Sequence, residues 1–123
     1  MDSDFNVLDL QRTDLYGHLL GIFAKLDVFN ALDISPSQML DFLIDVDATY
    51  LDAPYHSFYH AVDIVTVLYY ILTELEAEQY LSRLDIAALL LAALCHDAGH
   101  VSDHFIILFH GKDMDTIGWI MHV

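Results

Sequence analysis

The sequence predicts an all-α helical bundle, and three observations predict it. The 123 residues include only two prolines and five glycines. Long segments carry apolar residues at three- and four-residue spacing, the period of a helix face. Helix-start signals stand at the heads of those segments. With 56% hydrophobic residues the chain has enough apolar side chains for a core and is the size of one small domain, or a piece of a larger one.

The first helix is expected from about Thr13 to Leu26, with Leu15, Leu19, Ile22, Phe23 and Leu26 as its apolar stripe and Thr13 or Asp14 as its cap. Gly17 and Gly21 weaken it slightly or admit a close neighbour. At Ser35-Pro36-Ser37-Gln38 a serine stands as cap, a proline takes the first helical position and a glutamine completes a capping box. The helix that follows carries Met39, Leu40, Leu43, Ile44 and Val46. Pro54 disfavours helix at the residue before it and sets a break. A new helix begins near His56 or Ser57 and runs to about Leu75, with Ala61, Ile64, Val65, Leu68, Ile71 and Leu72 on its apolar face. The acidic run Glu74, Glu76, Glu78 reads as a solvated helix end or turn. Ser82 and Asp85 form a second capping box before Leu84 to Cys95, a helix apolar on nearly every side that must be covered all round. From Val101 onward the apolar residues, Ile106 to Phe109 and Ile117 to Met121, show no clean period.

Charge narrows the function. Nineteen acidic residues against four basic ones give a net charge of −15, which repels nucleic-acid phosphates and anionic lipid alike. Neither nucleic acid nor a membrane surface is expected as a partner. A phosphate substrate would require metal cations to reverse the local field. The lone Cys95 lies in an apolar run, cannot close an internal disulfide and reads as an inert buried thiol in a reducing compartment, with the cytoplasm as the expected location. Met1 to Asn6 lacks the basic and apolar regions of a signal peptide, and Leu84 to Cys95 is too short to span a bilayer. No feature sets an oligomeric state.

Two constellations carry candidate chemistry. His56 and His60 stand four apart at a helix start and therefore share a face. Such a pair serves a metal or a reaction, or makes surface and interhelix hydrogen bonds. His96, Asp97 and His100 close the most apolar helix, where imidazole and carboxylate suit zinc and a carboxylate can also reach a harder ion. Such groups in an apolar setting are costly unless compensated. The alternative there is that His96 and Asp97 bond each other or backbone carbonyls. A histidine from one helix facing a His-Asp pair from another is a common way for a bundle to build a metal site.

These residues carry a resemblance. Tyr55-His56-Ser57-Phe58-Tyr59-His60-Ala61-Val62-Asp63-Ile64 is similar to the first signature of class I cyclic-nucleotide phosphodiesterases, Tyr-His-Asn-x-x-His-Ala-x-Asp-Val. Cys95-His96-Asp97-Ala98-Gly99-His100 resembles the second, Cys-His-Asp-x-x-His. The likeness runs over about residues 4–100, leaving a divergent tail at 101–123. It implies the N-terminal portion of the multi-helix phosphodiesterase catalytic domain, with cyclic AMP or cyclic GMP as substrate. It implies two divalent ions, zinc and magnesium or manganese. His60, His96 and Asp97 would hold the zinc, and Asp97 would reach the second ion. His56 would be the general acid, His100 would lie toward the second metal, and Tyr55 would edge the substrate pocket.

Two departures bear on activity. Ser57 stands where the family has asparagine, which alters a supporting hydrogen bond. The family's second metal-binding aspartate and purine-gripping glutamine have no assignable counterpart within residues 1–123. The polypeptide is thus expected to be truncated, to bind metal weakly and to hydrolyse little by itself. The competing readings are another metal phosphohydrolase of the HD type, and a non-catalytic regulatory or interaction fragment.

Overall fold

The structure, a computed structural model, describes residues 7–50 and 57–96, with side chains from Arg12 onward. Five α-helices and one 3-10 turn make up most of these residues, and among them there is no strand. The order is α1 (Val7–Lys25), α2 (Val28–Leu32), α3 (Pro36–Tyr50), α4 (Phe58–Glu74), a 3-10 turn at Ala77–Gln79, and α5 (Arg83–Cys95).

Helix α1 starts at Val7, so Thr13 and Asp14 are exposed interior residues rather than its cap. The helical segment extends upstream of its amphipathic stripe, because backbone hydrogen bonding needs no apolar face to continue. The stripe itself packs as expected: Leu19 and Phe23 are fully buried and Ile22 nearly so. Neither Gly17 nor Gly21 has an atom within 4 Å of where a Cβ would sit, so no close approach accounts for them.

The Phe29-Asn30 segment forms the short helix α2 between two left-handed aspartates, Asp27 at φ 62° and Asp33 at φ 54°. Aspartate tolerates this region better than most residues because its short side chain bonds locally. Here Asn30 Nδ2 donates to Asp27 Oδ1 at 2.7 Å, and Arg83 pairs with the other oxygen of Asp27. That pairing holds the Asp27 carboxyl below its ordinary pKa, with the Asn30 bond as the next cause. Ile34 N–H donates back to Phe29 O at 3.1 Å and closes α2 in the manner of a Schellman motif.

Both expected capping boxes form. Ser35 N–H donates to Gln38 Oε1 at 2.9 Å while Gln38 N–H donates to Ser35 Oγ at 3.1 Å, with Pro36 at the first position of α3. Ser82 and Asp85 exchange the same two bonds at the head of α5. Helix α3 buries Met39, Leu43 and Val46, together with Phe42, Asp47 and Tyr50. Ile44, expected on that face, is 45% exposed because it falls behind the Leu43–Val46–Asp47–Tyr50 row.

Helix α4 buries Phe58, Ala61, Val62, Val65 and Leu72, whereas Ile71 is largely exposed. Its end turns through Glu76 in the left-handed region, and the acidic residues Glu74, Glu76 and Glu78 are exposed, as expected of a solvated turn. Helix α5 is the centre of the bundle: eight of its thirteen residues are buried, and it packs on α4 and α2. Helix α1 closes the other side against α2, α3 and α4. Cys95 is buried at the end of α5, and burial pushes its thiol well above the ordinary range, as an inert thiol requires. Among the described residues no helix is long and apolar enough to cross a membrane.

Candidate functional site

The core contacts of α4 and α5 bring the first turn of α4 beside the last turn of α5. Ser57 caps α4, its Oγ accepting the His60 N–H at 3.2 Å, so the residue that departs from the signature acts on the backbone of the adjacent histidine. Asparagine caps a helix at least as well as serine, so either residue can cap α4 at this position. His60 lies in this first turn and His96 directly follows α5; their ring centroids are 6.4 Å apart at an interplanar angle of 55°.

His96 Nδ1 lies 2.9 Å from Ala93 O. A carbonyl only accepts, so Nδ1 carries the proton and Nε2 of the neutral ring is the basic nitrogen. The backbone bond allowed as an alternative to metal ligation is thus present, and it does not compete with ligation. Metal-bound histidines commonly anchor one nitrogen on a carbonyl and ligate through the other. One expectation needs correction: both histidines are exposed, so the cost of burying an ionisable group does not apply to His96. The burial of α5 ends one residue earlier, at Cys95.

The donor set can be tested against a divalent ion. Two imidazole nitrogens about 2.1 Å from one tetrahedral zinc place their ring centroids about 5 Å apart. The observed rings are therefore about an ångström too wide, a gap that side-chain rotation can close. The pair fits a metal centre to the extent of two nitrogen donors. Among the described residues no group of three His, Cys, Asp or Glu side chains converges. Tyr55, His56, Asp97 and His100 lie outside the described residues, as do the tail from residue 101 and its histidines.

Other polar residues meet inside the bundle. Asp47, 4% exposed, accepts hydrogen bonds from Arg12 and from the Tyr16 hydroxyl. This bond raises the Arg12 pKa. Tyr16 is pushed up to about 12, first by burial and then by its bond to the carboxylate. The Arg12 guanidinium also sits 5.8 Å from the Tyr59 ring centroid, beside His60 in sequence. Tyr16 and Tyr50 meet the buried Phe58 ring edge-on, at 5.8 and 6.2 Å. Sequence reasoning missed this set. Its signal was a carboxylate at position 47 on the row formed by Leu43, Val46 and Tyr50, in a chain with only four cations. Of the remaining histidines, His18 pairs with Thr66 Oγ1 at 2.7 Å and has a structural partner.

Residues 55–107 match the family model described as 3'5'-cyclic nucleotide phosphodiesterase, a span containing both histidine motifs. The chain is 35% identical over 98 residues to the 3',5'-cyclic-nucleotide phosphodiesterase regA of Dictyostelium discoideum, covering 79% of this chain and 12% of that protein. It is 32% identical over 79 residues to the cGMP-specific 3',5'-cGMP phosphodiesterase 3 of the same organism, covering 64% of this chain and 17% of the relative. With the dual 3',5'-cyclic-AMP and -GMP phosphodiesterase 11 of Drosophila melanogaster the identity is 25% over 99 residues, 80% of this chain and 7% of that one. The chain thus spans a small part of the length of each relative. No solved structure matches it significantly.

Proposed function

This chain carries part of the catalytic domain of a class I 3',5'-cyclic-nucleotide phosphodiesterase, and from that premise we propose that its paired helix ends form the histidine side of a metal centre for hydrolysing cyclic AMP or cyclic GMP to the 5'-monophosphate. The observation that carries the reading is the meeting of His60 and His96, with His96 Nδ1 anchored on Ala93 O.

In this reading His60 and His96 would supply ring nitrogens and Asp97 a carboxylate to a zinc ion, and Asp97 with His100 would serve a magnesium or manganese ion. The two ions, when bound, polarise the phosphate and lower the pKa of water at the site. His56, four positions before His60, would donate a proton to the leaving 3' oxygen, the general-acid role that histidine commonly fills. Tyr55 would edge the substrate pocket, as the family resemblance implies. A polypeptide of net charge −15 repels an anionic substrate unless cations reverse the field locally, which favours a metal-dependent reaction. The single, deeply buried thiol suits a reducing compartment, and we assign the chain to the cytoplasm.

The test is metal uptake after dialysis against zinc, with hydrolysis of both cyclic nucleotides assayed in parallel. Weak but saturable zinc uptake by the wild-type chain is expected, lost in His60→Ala and in His96→Ala but retained in His56→Ala. Turnover by the 123-residue polypeptide should be slight. Absence of zinc uptake by the wild-type chain would sink the metal-centre reading, and brisk turnover abolished by His96→Ala would refute the expected weakness of the isolated chain.

A further inference from the structure

The two histidines belong to separate helices, and their spacing depends on whatever ties one helix end to the other. Both ends meet at Tyr50, the last residue of α3, which is 3% exposed. Its hydroxyl donates to Leu94 O at 2.8 Å. The last carbonyls of a helix have no intrahelical donor, so Leu94 O needs an external one. Its neighbour Ala93 O receives its bond from His96. Two adjacent carbonyls at the end of α5 are thus bonded, one by the candidate ligand and the other by Tyr50. On its other side the Tyr50 ring meets Phe58 edge-on at 6.2 Å, an aromatic arrangement of favourable geometry. Phe58 is the first residue of α4, is 1% exposed and precedes His60 by two positions. Tyr16 holds the same ring at 5.8 Å.

We infer that Tyr50 is a positioning residue for the His60–His96 pair, its ring fixing the start of α4 and its hydroxyl the end of α5. The inference rests on the metal-centre reading for its functional consequence and on the geometry alone for the positioning. Loss of a group that supports a metal ligand typically lowers metal affinity 10- to 100-fold. A shift in the α5 terminus also disturbs the backbone on which His96 Nδ1 is anchored.

Tyr50→Phe in the full 123-residue chain removes the hydroxyl and keeps the ring. Two readouts follow: zinc affinity by competition with a chelating dye, and the His96 ring nitrogens in long-range proton–nitrogen NMR spectra of metal-free protein. The expected result is far-ultraviolet circular dichroism like wild type, zinc affinity down about 10-fold or more, and a changed His96 Nδ1 signal. Met39→Ala, a core truncation at the opposite end of α3, should leave both readouts unchanged. Wild-type zinc affinity and an unchanged His96 signal in folded Tyr50→Phe would overturn the inference. Should wild type take up no zinc, the metal-centre reading fails, while the His96 signal still decides the positioning claim: a change supports it and no change refutes it. If Tyr50→Phe does not fold, Phe58→Leu tests the other contact. It should move the His60 ring signals, and unchanged signals would refute the role.

Discussion

Replacing Asp47 should destabilise the bundle far more than replacing any other aspartate of α3, because Asp47 alone among them is buried. Its two carboxylate oxygens accept from Arg12 and Tyr16, tying α3 to α1. Hydrogen bonds to a charged group contribute about 1.5–3 kcal/mol each. The Arg12 side chain is 31% exposed, so solvent screening places its bond at the lower end of that range, while the Tyr16 bond is better shielded. Asp47→Ala removes both acceptors and is expected to cost about 3 kcal/mol. Asp47→Asn keeps one acceptor without the charge and should cost roughly half as much. Urea unfolding followed at 222 nm measures both, and Asp47→Leu combined with Arg12→Met and Tyr16→Phe should recover most of the loss, since replacing the carboxylate and both of its donors by apolar groups leaves no orphaned group. Asp45→Ala, on the exposed face, is the comparison. If Asp47→Ala unfolds within about 0.5 kcal/mol of wild type, a value typical of surface substitutions, the network is not a support of the fold.

Four further outcomes are expected. Gly17→Ala and Gly21→Ala should each stabilise the chain by about 0.5–1 kcal/mol in thermal or urea unfolding, because both are exposed helix-interior positions with open space around the added methyl; a loss of stability would contradict the open geometry. Ser57→Ala should lose about 1 kcal/mol with the α4 cap, and Ser57→Asn should retain wild-type stability. Tyr16 is held protonated in the folded chain, so its contribution is complete below about pH 10, where an unfolded tyrosine titrates, and is lost as pH rises through about 12. The urea midpoint of wild type should therefore fall with rising pH across that interval, with a smaller fall in Tyr16→Phe. Cys95 should resist iodoacetamide in the folded chain and react once urea unfolds it, and rapid labelling of the native protein would contradict its burial.

Much of this protein is decided locally. Ser35-Pro36-Ser37-Gln38 and Ser82-Arg83-Leu84-Asp85 each contain within four residues the donors and acceptors that start a helix, and both helices start where these residues stand. The apolar surround of Leu84 to Cys95 likewise requires a central helix, because no face of it is suited to water. Finer features needed the tertiary partner. Ile44 and Ile71 fit an apolar period yet lie exposed, since the period fixes relative angle but not which side of the stripe meets a neighbour. The start of α1 at Val7 was hidden for a related reason: the amphipathic pattern marks the packed face and not the length of the hydrogen-bonded helix.

The candidate site divides along the same line. The four-residue spacing of His56 and His60 and the His-Asp pair closing an apolar helix point to metal chemistry, because ligand type and helical period are properties of short segments, while the family is read from the resemblance of residues 55–64 and 95–100 to its two signatures. That His60 and His96 come within 6.4 Å of each other depends on how α4 lies on α5. The Ser57 cap on the His60 N–H is a local contact, but the exposure of both histidines and the bridge of Tyr50 between Phe58 and Leu94 O are likewise tertiary facts. They join residues up to 44 positions apart, a separation that no local period encodes. The sequence by itself determined the donor chemistry carried by the two histidine motifs and the starts of α3 and α5; the packing of α3, α4 and α5 decided that His60 and His96 face one another, because only long-range contacts set the distance between two helix ends.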